Sequence, residues 1–75
     1  MKIELKCISF IEKEIKGKEG VLDIPPDTPV SEVLAERGIP LETLGIISIN
    51  GRRVDPSTRL KQGDTLALFP VVEGG

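Results

Sequence analysis

Apolar and polar positions alternate from the second residue onward. Ile3, Leu5 and Cys7 share one parity, and Lys2, Glu4 and Lys6 share the other. That period of two predicts a strand over Lys2–Ile8 with one face on a core. Ser9–Gly20 is less decided, because Phe10, Ile11 and Ile15 are scattered among Glu12, Lys13, Glu14, Lys16, Lys18 and Glu19. The Ile11–Ile15 pair fits a short helical turn, while the alternation Ile11, Lys13, Ile15 fits a strand running into a hairpin. Gly17 and Gly20 mark a turn in either case. Its charges have both signs and read as a solvated loop. Val21–Ile24 is expected to be a second strand, in a register set by Val21 or by Leu22, and Pro25-Pro26 ends it because neither can donate to a ladder.

The period then changes. Val30, Val33, Leu34 and the stem of Arg37 lie on one stripe of a helix of about ten residues. Thr28 is the expected cap, Pro29 suits the first helical position, and Glu32 places negative charge in the first turn. Gly38 is the expected terminator. Ile39 and Leu44 should tuck beneath the helix end, around a turn at Pro40–Thr43. Ile46–Ile49 and Arg52–Val54 read as two strands joined at Asn50-Gly51, two residues that tolerate the positive φ of a type I′ turn. Asp55–Thr58 connects onward, Leu60 is an apolar anchor, and Lys61–Asp64 is a turn before a last strand, Thr65–Pro70. One sheet wrapped on one main helix is the smallest arrangement that buries both apolar faces. The expected fold is therefore α+β, a ubiquitin-like β-grasp with a mixed sheet, over residues 1–70. Residues 71–75 are expected to be a flexible C-terminal diglycine tail.

Composition narrows the chemistry. Seventy-five residues make one domain with a small core, and a deep catalytic cleft would consume much of it. Ten basic and twelve acidic side chains leave a net charge of -2, which argues against a nucleic-acid partner and gives no reason for an anionic membrane. The chain has no histidine and one cysteine, Cys7. A Cys-His pair, an internal disulfide and an ordinary zinc site are all excluded. Cys7, in line with Ile3 and Leu5, reads as a small buried hydrophobe. Asp23, Asp27 and Asp64 fit turns, no carboxylate spacing marks a catalytic pair, and no metal is expected. There is no apolar run of about 20 residues and no signal-peptide pattern. Because small secreted folds usually need several cysteines, the lone Cys7 makes the cytoplasm the expected location.

The last strand carries the functional signal. With Leu66 and Leu68 toward the helix, Ala67 and Phe69 are expected to face solvent. Phe69 would then be an exposed aromatic of the kind that anchors partners; the competing reading places it in the core. Pro70 stops the ladder and stiffens the exit, and Val71 and Val72 favour extended angles. Gly74 and Gly75, lacking Cβ, suit passage through a narrow channel. Arg52 and Arg53, next to the hairpin tip, either solubilise the domain or dock acidic partner residues.

The ending Phe69-Pro70-x-Val72-x-Gly74-Gly75, after Gly63-Asp64-x-Leu66-Ala67, resembles the sulfur-carrier family with a ubiquitin-like fold. Within it the ending is most similar to the small subunit of molybdopterin synthase, a relative of the thiamine-pathway carrier. The resemblance continues through Thr28-Pro29-Val30-x-x-Val33-Leu34, the Asn50-Gly51 hairpin and Leu60-x-x-Gly63-Asp64. It departs at Leu68-Phe69, where an aromatic pair is common, at Val71, where a second proline is often found, and at Cys7-Ile8, where aromatics are common.

The resemblance implies a carrier rather than an enzyme. An E1-like adenylating enzyme would use ATP to activate the Gly75 carboxylate. A sulfur donor such as a persulfide protein would convert it to a thiocarboxylate. The large subunit of molybdopterin synthase, or another sulfur-accepting enzyme, would receive the sulfur in making a molybdenum or tungsten cofactor. No cofactor is expected on the carrier itself. By this resemblance Gly75 carries the reacting carbon, Gly74 lets the tail thread, and Phe69, with Pro70 and Val72 beside it, docks the partner; Arg52 and Arg53 are further docking candidates by charge alone. Thiamine synthesis, tRNA thiolation, isopeptide-forming protein modification and a non-covalent binding module are the alternatives.

Overall fold

A computed structural model describes residues 1–10 and 13–71. Strand β1 (Lys2–Cys7) leads through a short helical turn, α1 (Lys13–Lys16), to β2 (Gly20–Asp23). The main helix α2 (Val30–Arg37) and a 3-10 turn (Leu41–Thr43) come next, before β3 (Leu44–Ile49), β4 (Arg52–Arg53) and β5 (Thr65–Pro70). The sheet order is β2-β1-β5-β3-β4. β1 and β5 run parallel in the middle, with Glu4 opposite Thr65 and Cys7 opposite Leu68, and the other pairings are antiparallel. This is the mixed β-grasp sheet that the element order predicts; of the undecided segment, Lys13–Lys16 takes the short helical turn, and Ile11 of the Ile11–Ile15 pair lies outside the described residues.

The alternation of β1 is realised in full: Ile3, Leu5 and Cys7 are buried and the residues between them are exposed. Leu22, not Val21, turns inward opposite Ile3, and Val21 is left 68% exposed. Val30, Val33 and Leu34 of α2 pack onto this face with Leu66, Leu68, Ile47 and Ile49. Phe10, Ile39 and Leu60 close its margins, each buried.

Two local expectations are corrected. The helix has eight residues, and Pro29 occupies the cap position with extended backbone and no side-chain cap bond. Thr28 instead donates through Oγ1 to the Pro25 carbonyl at 2.7 Å. The amides at the start of α2 are satisfied from a distant loop, with Val30 N–H donating to Thr58 O and Ser31 N–H to Pro56 O, both at 2.9 Å. Asp55 shapes that loop by accepting from Ser57 N–H and Oγ. At the other end Gly38 is left-handed, φ 70°, and Ile39 N–H reaches back to Leu34 O, so the terminator is as expected. Asn50 (φ 52°) and Gly51 (φ 83°) both take positive φ, as a type I′ hairpin requires.

Candidate docking face and tail root

β5 is the middle strand, so everything at its end is built from both neighbours. Leu66 and Leu68 have no exposed surface, which sends the alternate residues to the face away from α2. Ala67 corrects the expectation of solvent exposure: it is only 8% exposed, flanked in register by Lys6 and Ser48. A methyl group between longer neighbours on a central strand is covered from both sides.

Phe69 is half-buried on this outer face, opposite Ile46, which is 40% exposed. On its other side the β1 backbone continues one residue past the Cys7–Leu68 pair, with Ile8 N–H donating to Leu68 O at 2.8 Å. Ile8 is 38% exposed. Ile8, just past β1, Phe69 and Ile46 therefore form an apolar row on this face, while Val71, 49% exposed, lines a cleft with Phe10, Ile15, Gly38 and Pro40. Neither isoleucine is singled out by the sequence reading. The signal available for them is parity, since each is an apolar residue on the polar side of its strand's alternation.

The hairpin arginines are adjacent in sequence and separated in space. Arg53 pairs with Ser48, in the row that also holds Ala67 and Lys6, so the apolar row is bordered by cations on the outer face. Arg52 pairs with Ile49, whose parity is the helix side, and lines a different cleft of about 430 Å³ with Arg59 and Lys61. Asp64 in that cleft has its carboxylate committed to Asn50 Nδ2 at 2.9 Å and the Lys61 amide at 2.8 Å.

The last described residues form the root of the tail. Leu44 stands opposite Pro70, and Val71 N–H donates to Thr43 O at 3.1 Å, so the chain stays tied to the sheet one residue beyond β5. Val72, Gly74 and Gly75, named from the sequence as tail residues, lie outside the described residues.

Elsewhere the described residues offer little chemistry. Among the described residues no group of three or more His, Cys, Asp and Glu is placed to hold a metal ion, and no helix is long and apolar enough to cross a membrane. Cys7 is 2% exposed, and burial pushes its thiol pKa up, helped by Glu19 and opposed by Arg37 and Lys18. A buried, protonated thiol is a poor nucleophile.

The model of the ThiS family matches residues 11–75. No curated protein matches the chain. Among solved structures, SAMP1 from Haloferax volcanii is similar over the whole of both chains, at 22% identity and a TM-score of 0.67. The Pyrococcus furiosus protein assigned as molybdopterin converting factor subunit 1 is similar over 96% of this chain and 99% of its own, at 22% identity and a TM-score of 0.72. A complex of subunits 1 and 2 of the molybdopterin-converting factor from Helicobacter pylori contains a chain similar over the full length of both, at 25% identity and a TM-score of 0.65.

Proposed function

The chain belongs to the ThiS family, and from that premise we propose that it is a sulfur carrier whose reactive group is the Gly75 carboxylate, serving molybdopterin biosynthesis. The reading is supported by family membership and by the similarity to subunit 1 of a factor that was solved together with its subunit 2. The observation that carries it is the placement of the Ile8–Phe69–Ile46 row beside Pro70, the last residue of β5 and five residues before Gly75 in the sequence. A partner that grips this row holds the segment next to it.

The chemistry is dictated by the weakness of a carboxylate as an electrophile, so an E1-like enzyme must first supply a leaving group. The Gly75 oxygen attacks the α-phosphorus of ATP, pyrophosphate departs, and an acyl-adenylate forms. A persulfide sulfur on a donor protein then attacks the acyl carbon and AMP leaves. Thiol reduction of the resulting acyl disulfide releases the thiocarboxylate, with a disulfide left on the thiol side. Delivered into the large subunit of a synthase, that soft nucleophile passes its sulfur to a pterin precursor. The acids and bases of these steps come from partners, and ATP is spent only in the first, so the carrier needs no histidine and no cofactor of its own.

Intact-mass measurement of the protein from its native cells tests the reading. The expected species has one oxygen exchanged for sulfur, and fragmentation assigns the gain to Gly75 rather than to oxidised Met1 or Cys7. Transfer of Gly75 to lysine amines, with no thiocarboxylate species at any stage, would establish a protein modifier instead. Unchanged adenylation after removal of Gly74-Gly75 would overturn both.

A further inference from the structure

We propose that Gly45, with the Thr43 carbonyl, is the positioning element that sets the direction in which the C-terminal segment leaves the domain. It thereby governs how Gly75 reaches a partner's active site. The inference rests on the carrier reading above.

The register of β3 against β5 pairs Ile49 with Leu66, Ser48 with Ala67, Ile47 with Leu68 and Ile46 with Phe69. It then slips by one, and Leu44 rather than Gly45 faces Pro70. Gly45 is the extra residue of a bulge, a device that bends a strand and redirects the chain beside it. The slip also lets Leu44 turn in against the core beside Pro70, while Val71 comes level with Thr43 and donates to its carbonyl. That carbonyl is itself fixed, because Thr43 N–H and Oγ1 both donate to Pro40 O, at 3.1 and 2.6 Å.

Glycine at 45 is demanded by space and not by conformation, since its φ is not among the positive ones. A Cβ there would stand 2.8 Å from Pro70 O, 3.2 Å from Val71 Cα and 3.3 Å from Pro70 C. All three are backbone atoms, so no side chain can rotate out of the way. A methyl group at 45 must push the tail root and β3 apart. The core has no need of this contact: Gly45 is exposed, and β5 is anchored upstream by Leu66 and Leu68. The constraint acts on the residues that aim the segment.

Gly45→Ala in the full chain tests this with two readouts. The first needs no partner. The Val71 amide should exchange with solvent at least about 10-fold faster in the variant, while the Leu66 and Leu68 amides and the thermal midpoint hold. The second is adenylation by the E1-like enzyme of the source cell, read as ATP–pyrophosphate exchange. A displacement of about 1 Å at a reacting group can cost about 100-fold, so kcat should fall about 10–100-fold with KM for the carrier within about 2-fold. Should Gly45→Ala fail to fold, an amide-to-ester replacement at Val71 deletes the donor, adds no bulk and should give the same loss of kcat.

An unchanged kcat overturns the proposal. So does a raised KM at constant kcat, which would place Gly45 in the docking surface. A wild-type chain that is never adenylated overturns the functional reading and with it this use of the constraint. The Val71 exchange result separates that failure from an error in the geometry.

Discussion

At the scale of single residues, Cys7 ties burial to a measurable pH dependence. Its thiol sits among Ile3, Leu5 and Leu68 and hydrates poorly, so the folded-state pKa lies above that of the unfolded chain. The unfolded chain therefore gives up its proton first. The stability associated with the neutral thiol is complete below about pH 8.5, and it is lost as pH rises through the folded-state value. Urea midpoints of the wild type should fall between about pH 8 and pH 10 more steeply than those of Cys7→Ala, which titrates nothing at this position. Equal slopes would mean that the thiol is not buried in solution. Iodoacetamide gives a second check: native Cys7 should alkylate far more slowly than Cys7 in denaturant.

At the scale of elements, α2 is held at its two ends by different physics. Its C-terminus depends on one backbone angle. Gly38 has φ 70°, and a Cβ there meets only the Lys18 Nζ, at an ordinary contact distance of 3.8 Å, so the cost of a side chain is strain and not collision. Gly38→Ala should destabilise the fold by about 1 kcal/mol in denaturant titration, and Gly38→Asn by less, because asparagine tolerates this region. The N-terminus depends on carbonyls of the Asp55–Thr58 loop, more than twenty residues away. This difference marks what the sequence could tell. Gly38, the Asn50-Gly51 turn, the inward set of β1 and the Leu66–Leu68 pair are fixed by local geometry and were legible. The Thr28 cap failed because the Pro25 carbonyl competes for the hydroxyl and a distant loop supplies the acceptors. Ala67 and the bulge at Gly45 depend on which strands flank β5, and alternation within one strand carries no record of its neighbours. The Ile8–Phe69–Ile46 row was half legible. Phe69 stood out, but its companions came from strands whose order in the sheet had to be known first.

At the scale of the whole molecule, the fold separates what holds the domain together from what it offers to a partner. Leu68 and Phe69 are adjacent, yet one has no exposed surface and the other lies half-buried on the opposite face. Leu68→Ala should cost about 2–5 kcal/mol of stability, the range for a large-to-small change in a packed core. Phe69→Ala should cost less, because part of its ring is in contact with water. For partner binding the order should invert. An aromatic at the centre of an apolar row, bordered by Lys6 and Arg53, has the features of an interface anchor, and truncation of such an anchor costs about 2 kcal/mol or more, roughly 30-fold in affinity. Phe69→Ala and Ile46→Glu should each weaken binding to the proposed large-subunit partner by that much in calorimetry, with the thermal midpoint nearly unchanged for Ile46→Glu. Arg53→Glu should slow association and flatten its salt dependence, because it removes attraction that salt would screen, whereas Arg52→Glu, which alters the separate cleft, should leave the association rate near that of the wild type. Equal effects from the two arginines would mean that the partner grips the hairpin tip and not the outer face. The division of the sheet into a basic-edged docking side and a second cationic cleft would then lose its functional meaning.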